Sequence, residues 1–311
     1  MLGTSIAKKV LRRLESTVVK TTRGVPRLEV ERFGSYAEYH EHLERTAELD
    51  AKRAAAERLL IPAGATGQFK VLGYCAVCER WSRFMVDFAH SFAVDGDRPV
   101  PNWRESLICP RCFLNSRMRA CFQLFRDLLR PSHGASVYMT EQVTSLFARI
   151  KDLYPNTVGS EFLTDGTPPG ALDAAGTRFE DLTRLTFDDG RFDFILSFEV
   201  LEHVPDYKAA LRECARVLKP GGSLVVTAPF QDKPETSVRA RVGPEGIEHL
   251  FPPEYHGDPL SSDGCLCFYY FGGDFLDALR EAGFREASIA QSYSRDLGYL
   301  WRKSPVFIAK K

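Results

Sequence analysis

From residue 135 onward, short apolar and β-branched runs alternate with stretches of helical period. Residues 135–140, 156–163, 191–198 and 223–229 read as strands, because Val, Ile, Phe, Tyr and Thr cluster there without amphipathic spacing. Residues 145–154, 207–218 and 274–283 repeat apolar positions every three or four residues and read as helices. Alternation at this length predicts parallel βαβ units, hence an α/β, doubly wound, mostly parallel sheet. Residues 285–293 and 304–311 are strand-like with no helix between them, which predicts an antiparallel hairpin at one sheet edge. Residues 230–271 interrupt the alternation with Pro, Gly, His and aromatic residues. This insertion follows a strand, so it is expected over the carboxyl ends of the strands, where ligands bind in such sheets, as a substrate loop.

The pattern differs upstream, and three units follow: residues 1–65, 66–130 and 131–311. In the first, Ile6, Val10, Leu14 and Val18 recur every four residues and draw an apolar stripe on a helix. Residues 1–30 carry a net charge of +5. That combination fits a terminal helix with a solvated basic face, a peripheral membrane or partner-binding helix, or an organellar transit peptide. Residues 36–60 are rich in Ala, Glu, Leu and Arg and read as a helix, which Ile61-Pro62-Ala63-Gly64 stops. In the second unit, residues 68–113 lose helical period around two cysteine pairs, and residues 115–129 read as a helix ended near Pro131.

Composition changes this picture little. The 311 residues are 44% hydrophobic, enough for at least one sizeable core. No apolar run approaches the roughly 20 residues that span a bilayer. Forty-one basic and forty-one acidic residues cancel, so no whole-molecule field draws the protein onto nucleic acid or anionic lipid. The N-terminus lacks the apolar core of a secretory signal, so the expected location is cytoplasmic.

In that reducing setting, paired cysteines read as metal ligands before they read as disulfides. Cys75-Ala76-Val77-Cys78 and Cys109-Pro110-Arg111-Cys112 are separated by 30 residues. Each pair can present two sulfurs from one tight turn, and four thiolates close a tetrahedral shell around structural Zn²⁺. A redox dithiol and a chance pairing are the competing readings. The spacing exceeds that of a compact zinc ribbon. Residues 75–130 carry a net charge of +3, with Trp81, Phe84, Trp103 and Phe113 as candidates either for stacking on nucleic-acid bases or for a small core. The modest charge favours a structural or substrate-shaping role.

The stretch from Phe187 to Phe230, FDDGRFDFILSFEVLEHVPDYKAALRECARVLKPGGSLVVTAPF, resembles the class I S-adenosylmethionine-dependent methyltransferases, in a divergent type 11-like form. The resemblance covers roughly residues 135–311. It implies a Rossmann-like sheet, S-adenosylmethionine as cofactor, and methyl transfer to an oxygen or nitrogen of an acceptor. Carried over by position, Glu161 meets the ribose hydroxyls, and Asp181 accepts from the adenine amine with Leu182 beside the ring. Ser197 and Phe198 line the methionine end of the cofactor. The family's first strand runs into a G-x-G turn, whereas this chain reads Met139-Thr140-Glu141-Gln142-Val143-Thr144. Either the loop takes another route, with Thr140 and Glu141 binding the amino-acid end of the cofactor, or binding is lost. Lys219-Pro220-Gly221-Gly222 is expected to end a helix and turn the chain into the next strand.

Glu199-Val200-Leu201-Glu202-His203 matches the E-x-x-E-H that holds a divalent ion in ubiquinone-pathway and small-RNA ribose methyltransferases, with His249 or His256 as a further ligand. In methyltransferases without that ion the same string shapes the pocket wall. His203 and His256 are the candidate general bases. Glu254, Tyr255, His256 and Asp258 give the insertion polar groups that can orient an acceptor, expected to be a small molecule or glycan. A non-catalytic scaffold and a zinc-ribbon nucleic-acid methyltransferase are the rival readings.

Overall fold

The computed structural model of the protein describes residues 17–19, 26–89, 91, 93–95, 98–300 and 305–311. Eight strands build the central sheet, in the order Thr17–Val19, Leu28–Phe33, Glu286–Tyr293, Val306–Lys310, Leu218–Thr227, Phe192–Phe198, Val137–Met139 and Thr157–Gly159. The last four pair in parallel. The other pairings are antiparallel. This is the expected α/β, Rossmann-like architecture, in a mixed sheet with three parallel and four antiparallel pairings.

Side chains alternate between two cores, as the pleat requires. From Phe192–Phe198, Phe194, Leu196 and Phe198 face one core, while Ile195 enters the other. Helices Tyr36–Arg45, Tyr207–Val217 and Phe275–Glu281 cover the second core through Tyr39, Leu43, Leu211, Cys214, Phe275 and Leu279. Local chemistry fixes where helices begin. Ser35, Asn115, Thr144 and Asp206 each accept a backbone N–H from the first helical turn.

The antiparallel pair Glu286–Tyr293 and Val306–Lys310 forms as expected, but it lies inside the sheet rather than at an edge. Leu28–Phe33 pairs with its outer side and buries Leu28, Val30 and Phe33. The first unit is therefore not wholly helical. Most of the predicted basic helix, residues 1–16, lies outside the described residues; Val18 belongs to a strand paired with the Leu28–Phe33 strand. The helix before Lys219 ends at Val217, ahead of the glycines, and Gly221 makes its turn at φ +81°. A Cβ on Gly222 would stand 2.9 Å from the Asp193 carbonyl oxygen, so only glycine fits there.

The cysteine module is a hairpin, Phe69–Cys75 with Arg80–Val86, followed by the second cysteine pair and the helix Ser116–Gln123. The insertion forms three two-stranded ladders. Among the described residues, no helix is long and apolar enough to cross a membrane.

Candidate functional site

Parallel strands end together, and their carboxyl ends carry the polar side chains that the sequence singles out. Thr140 is buried, its N–H donating to the Leu196 carbonyl at 3.1 Å and its hydroxyl to Ser197 Oγ at 3.0 Å. Glu141 follows it and is buried, and its Oε1 has no hydrogen-bond partner. Burial pushes its carboxyl up to about 8, outweighing the pull of Arg117. Glu161 lies beyond the end of Thr157–Gly159, and its Oε1 accepts the N–H groups of Gln142 and Val143 at 2.6 and 2.8 Å. That oxygen clamps the first loop. Burial raises the Glu161 carboxyl and those two N–H groups lower it, while Asp258 of the insertion raises it further. The insertion therefore reaches over this end of the sheet.

Asp181 spends one oxygen on its own turn, accepting the N–H and hydroxyl of Thr183 at 2.8 and 2.7 Å. Leu182 packs in the core beside Leu185 and Phe187, and Phe198 packs in the opposite core.

A cleft of about 920 Å³ opens beside these strand ends. The cysteine module supplies one wall with Asn102, Arg104, Glu105 and Arg117. The E-x-x-E-H segment contributes Glu199 and His203, and the insertion contributes Glu254, Tyr255, His256 and Tyr270. Sequence reasoning had no motif for Arg104, Glu105 and Arg117. Their one signal is the long spacer between the cysteine pairs, whose extra residues build this wall.

Within the cleft, Glu199 parts from the rest of its motif. Arg104 holds its carboxylate at 2.5 and 3.1 Å. Burial pushes the Glu199 carboxyl up, but Arg104 and Arg117 overcome this and hold it at about 2. Glu202, His203 and His256 instead come together, with one ligand atom from each lying within 4.8 Å of the others. Glu202 is fully buried, and neither of its oxygens has a hydrogen-bond partner. His203 Nε2 and His256 Nδ1 each stand 3.7 Å from Glu202 Oε1. His203 Nδ1 donates to the Leu266 carbonyl at 2.8 Å, which leaves Nε2 with its lone pair. His256 is raised to about 10 by the Cys267 thiol and Glu202 beside it, against burial. One carboxylate and two imidazoles suit a divalent cation or proton transfer. His249 lies on an exposed ladder, outside this cluster.

The four cysteines of the two pairs converge from both knuckles. Their sulfurs lie within 4.8 Å of one another, with Cys75–Cys112 at 3.8 Å and Cys78–Cys109 at 4.0 Å. A tetrahedral ion with Zn–S bonds of about 2.3 Å separates its sulfurs by roughly 3.8 Å. The residue after each pair, Glu79 and Phe113, takes a left-handed conformation at φ 53° and 60°. The two knuckles thus share one backbone form. Of the aromatic residues considered for base stacking, Phe84 and Trp103 are core residues, while Trp81 and Phe113 are exposed.

Residues 137–226 match the family described as Methyltransferase domain. A ubiquinone biosynthesis O-methyltransferase of Marinobacter nauticus is 36% identical over 85 residues, covering 27% of this chain and 35% of that protein. One from Xanthomonas oryzae pv. oryzae is 45% identical over 67 residues, covering 22% and 28% respectively. The chain thus spans about a third of the length of these relatives. A solved S-adenosylmethionine-dependent methyltransferase from Mesorhizobium loti is 17% identical, with 62% of this chain and 98% of that chain covered and a TM-score of 0.38.

Proposed function

We propose that the protein transfers a methyl group from S-adenosylmethionine to an oxygen or nitrogen of a small-molecule or glycan acceptor bound in the cleft. The observation that carries this reading is Glu141: a buried carboxylate oxygen without a partner, at the end of the first strand of the matched domain. A buried acceptor of this kind costs stability unless a ligand satisfies it, and a ligand ammonium group does so. Thr140 and Ser197 flank it. Glu161 and Asp181 each keep a second carboxylate oxygen for the ribose and adenine. When bound, S-adenosylmethionine supplies a methyl group activated by its sulfonium charge.

The protein's part is then proximity, orientation and proton removal. His203, its tautomer set by the Leu266 carbonyl, is the candidate base at Nε2. His256, between Glu254 at 3.3 Å and Glu202 at 3.7 Å, orients the acceptor. The relatives named as O-methyltransferases favour an oxygen acceptor. Cys75, Cys78, Cys109 and Cys112 hold a structural Zn²⁺, a closed shell with no open position for catalysis. The cytoplasm is the compartment consistent with reduced thiolates.

Calorimetric titration with S-adenosylmethionine tests this reading. Micromolar binding is expected, strongly weakened in Glu141→Gln and Asp181→Ala and unchanged in His256→Ala. Absence of binding at millimolar cofactor in folded, zinc-loaded protein refutes it.

A further inference from the structure

The second cysteine pair sits at the tip of an arm whose base is the cleft wall. The chain enters the Cys109–Cys112 knuckle through residues 104–108 and leaves it through residues 113–117. The two limbs are tied together. Ser116 N–H donates to the Ser106 carbonyl at 2.9 Å, and Arg117 N–H to the Arg104 carbonyl at 3.0 Å. The Glu105 carboxylate takes Arg117 Nε and Nη2 at 2.8 and 3.0 Å and Asn115 Nδ2 at 2.9 Å.

At its base the arm meets the end of a central strand through Arg104, while Trp103, Leu107 and Leu114 pack in the core that the module shares with the sheet. Arg104 grips both oxygens of Glu199, just past the end of Phe192–Phe198. Glu199 is turned toward the arm in a left-handed conformation, φ 56°, that a residue with a Cβ rarely adopts. Its N–H donates to the Thr227 carbonyl at 2.8 Å, which holds the turn in place. A charged fork on a carboxylate, both largely removed from water, is directional as well as strong. Strain at Glu199 and the fork from Arg104 therefore support each other. The bonds of Glu161 and Asp181 on the cofactor side involve no residue of the arm.

We propose that Arg104 is a positioning residue that couples the metal state of the four-cysteine centre to the acceptor side of the cleft. This rests on the metal reading of those cysteines. With the knuckle closed on its ion, the arm is short and stiff, and Arg104 stays on Glu199. With the knuckle open, the two limbs lose their common tip, Arg104 leaves Glu199, and the wall formed by Asn102, Arg104 and Glu105 is released while the cofactor end persists.

Trp103 reports on this directly, because it adjoins Arg104 and is 1% exposed. The protein has three tryptophans, so Trp81→Phe with Trp301→Phe leaves Trp103 alone. Iodide quenching of Trp103 is measured in the zinc-loaded parent, in Arg104→Gln, Arg104→Lys and Glu199→Gln, and after zinc is stripped with a chelator. Zinc content and S-adenosylhomocysteine affinity are measured alongside. The parent is expected to be shielded. Arg104→Gln and Glu199→Gln should quench severalfold more with zinc still bound, and Arg104→Lys, which keeps the charge without the fork, should fall between. The stripped protein should match Arg104→Gln. A shielded Trp103 in zinc-loaded Arg104→Gln overturns the proposal, and so does exposure on stripping alone. A parent without zinc refutes the metal reading instead, and a parent that ignores S-adenosylhomocysteine refutes only the cofactor reading.

Discussion

Glu141 stands where the methyltransferases that this sequence resembles place glycine, and it leaves an acid in the interior. Burial raises its carboxyl to about 8 from an ordinary 4.5. A folded value above the unfolded one means that the native state holds a proton the unfolded chain has lost. The associated stability is present below pH 4.5 and is lost progressively as pH rises toward 8. Glu141→Gln removes that dependence. It should stabilise the unliganded protein at neutral pH by on the order of 3 kcal/mol, if the amide finds the space of the acid. The same change should weaken binding of a cofactor bearing an ammonium group, so stability and affinity move in opposite directions. Denaturation at pH 5 and pH 8, with and without the substitution, decides this; an unchanged slope between the two pH values removes Glu141 as the titrating group. The missing glycines were legible in the sequence. The surroundings of Glu141 were not, because two of the charges that act on it, Arg117 and Glu161, lie 24 and 20 residues away along the chain.

The loop after the first strand accounts for the absence of glycine. No residue from Thr140 to Thr144 has a positive φ, so none needs glycine's freedom. The loop is instead held from outside. Glu161 takes the N–H groups of Gln142 and Val143, and the Gln142 side chain bridges to the Gly176 carbonyl and the Arg178 N–H at 2.9 Å each. Glu161→Ala leaves two N–H groups without a carboxylate and should cost about 2 kcal/mol, with faster hydrogen exchange at Gln142 and Val143. Unchanged exchange at those two amides would mean the loop holds its shape without the clamp. Strands and helices after residue 135 were legible because each buries a face on a local period. The strand Leu28–Phe33 was not, although Leu28, Val30 and Phe33 are buried, because a helical stretch follows it at once and its partner lies more than 250 residues away. For the same reason the antiparallel pair near the C-terminus was expected at an edge: the sequence contains the pair but not the neighbour that covers it. The arm carrying Arg104 escaped reading because only the two knuckles, not the spacer between them, have a repeating signature.

Across the whole molecule, the cysteine module and the sheet share one core. Cys75, Phe84, Trp103, Cys121 and Phe125 belong to the same apolar cluster as Val137, Met139, Leu196, Val225 and Ile308. Arg119 stitches the seam. It is fully buried, donates to the Leu107 and Leu297 carbonyls at 3.1 and 2.6 Å, and lays its guanidinium over Phe84 at 3.9 Å. Ser116 reaches the Gly298 carbonyl at 2.6 Å, and the Tyr299 hydroxyl reaches Gln123 at 2.8 Å. In a module joined in this way, opening the knuckles weakens the shared core as well as releasing the wall. Structural zinc contributes folding free energy directly. Removing it should therefore lower the midpoint of one cooperative transition, by on the order of 10 °C, rather than produce a separate early melt. Cys109→Ser should do the same with zinc content reduced, and Arg119→Met should lower the midpoint with zinc retained, since it cuts the seam and leaves the thiolates. Calorimetry distinguishes the alternatives. A small early peak beside an unmoved main transition would make residues 66–130 a separate domain. A single displaced peak means that the module and the sheet unfold together, and that the cleft between them is built by both.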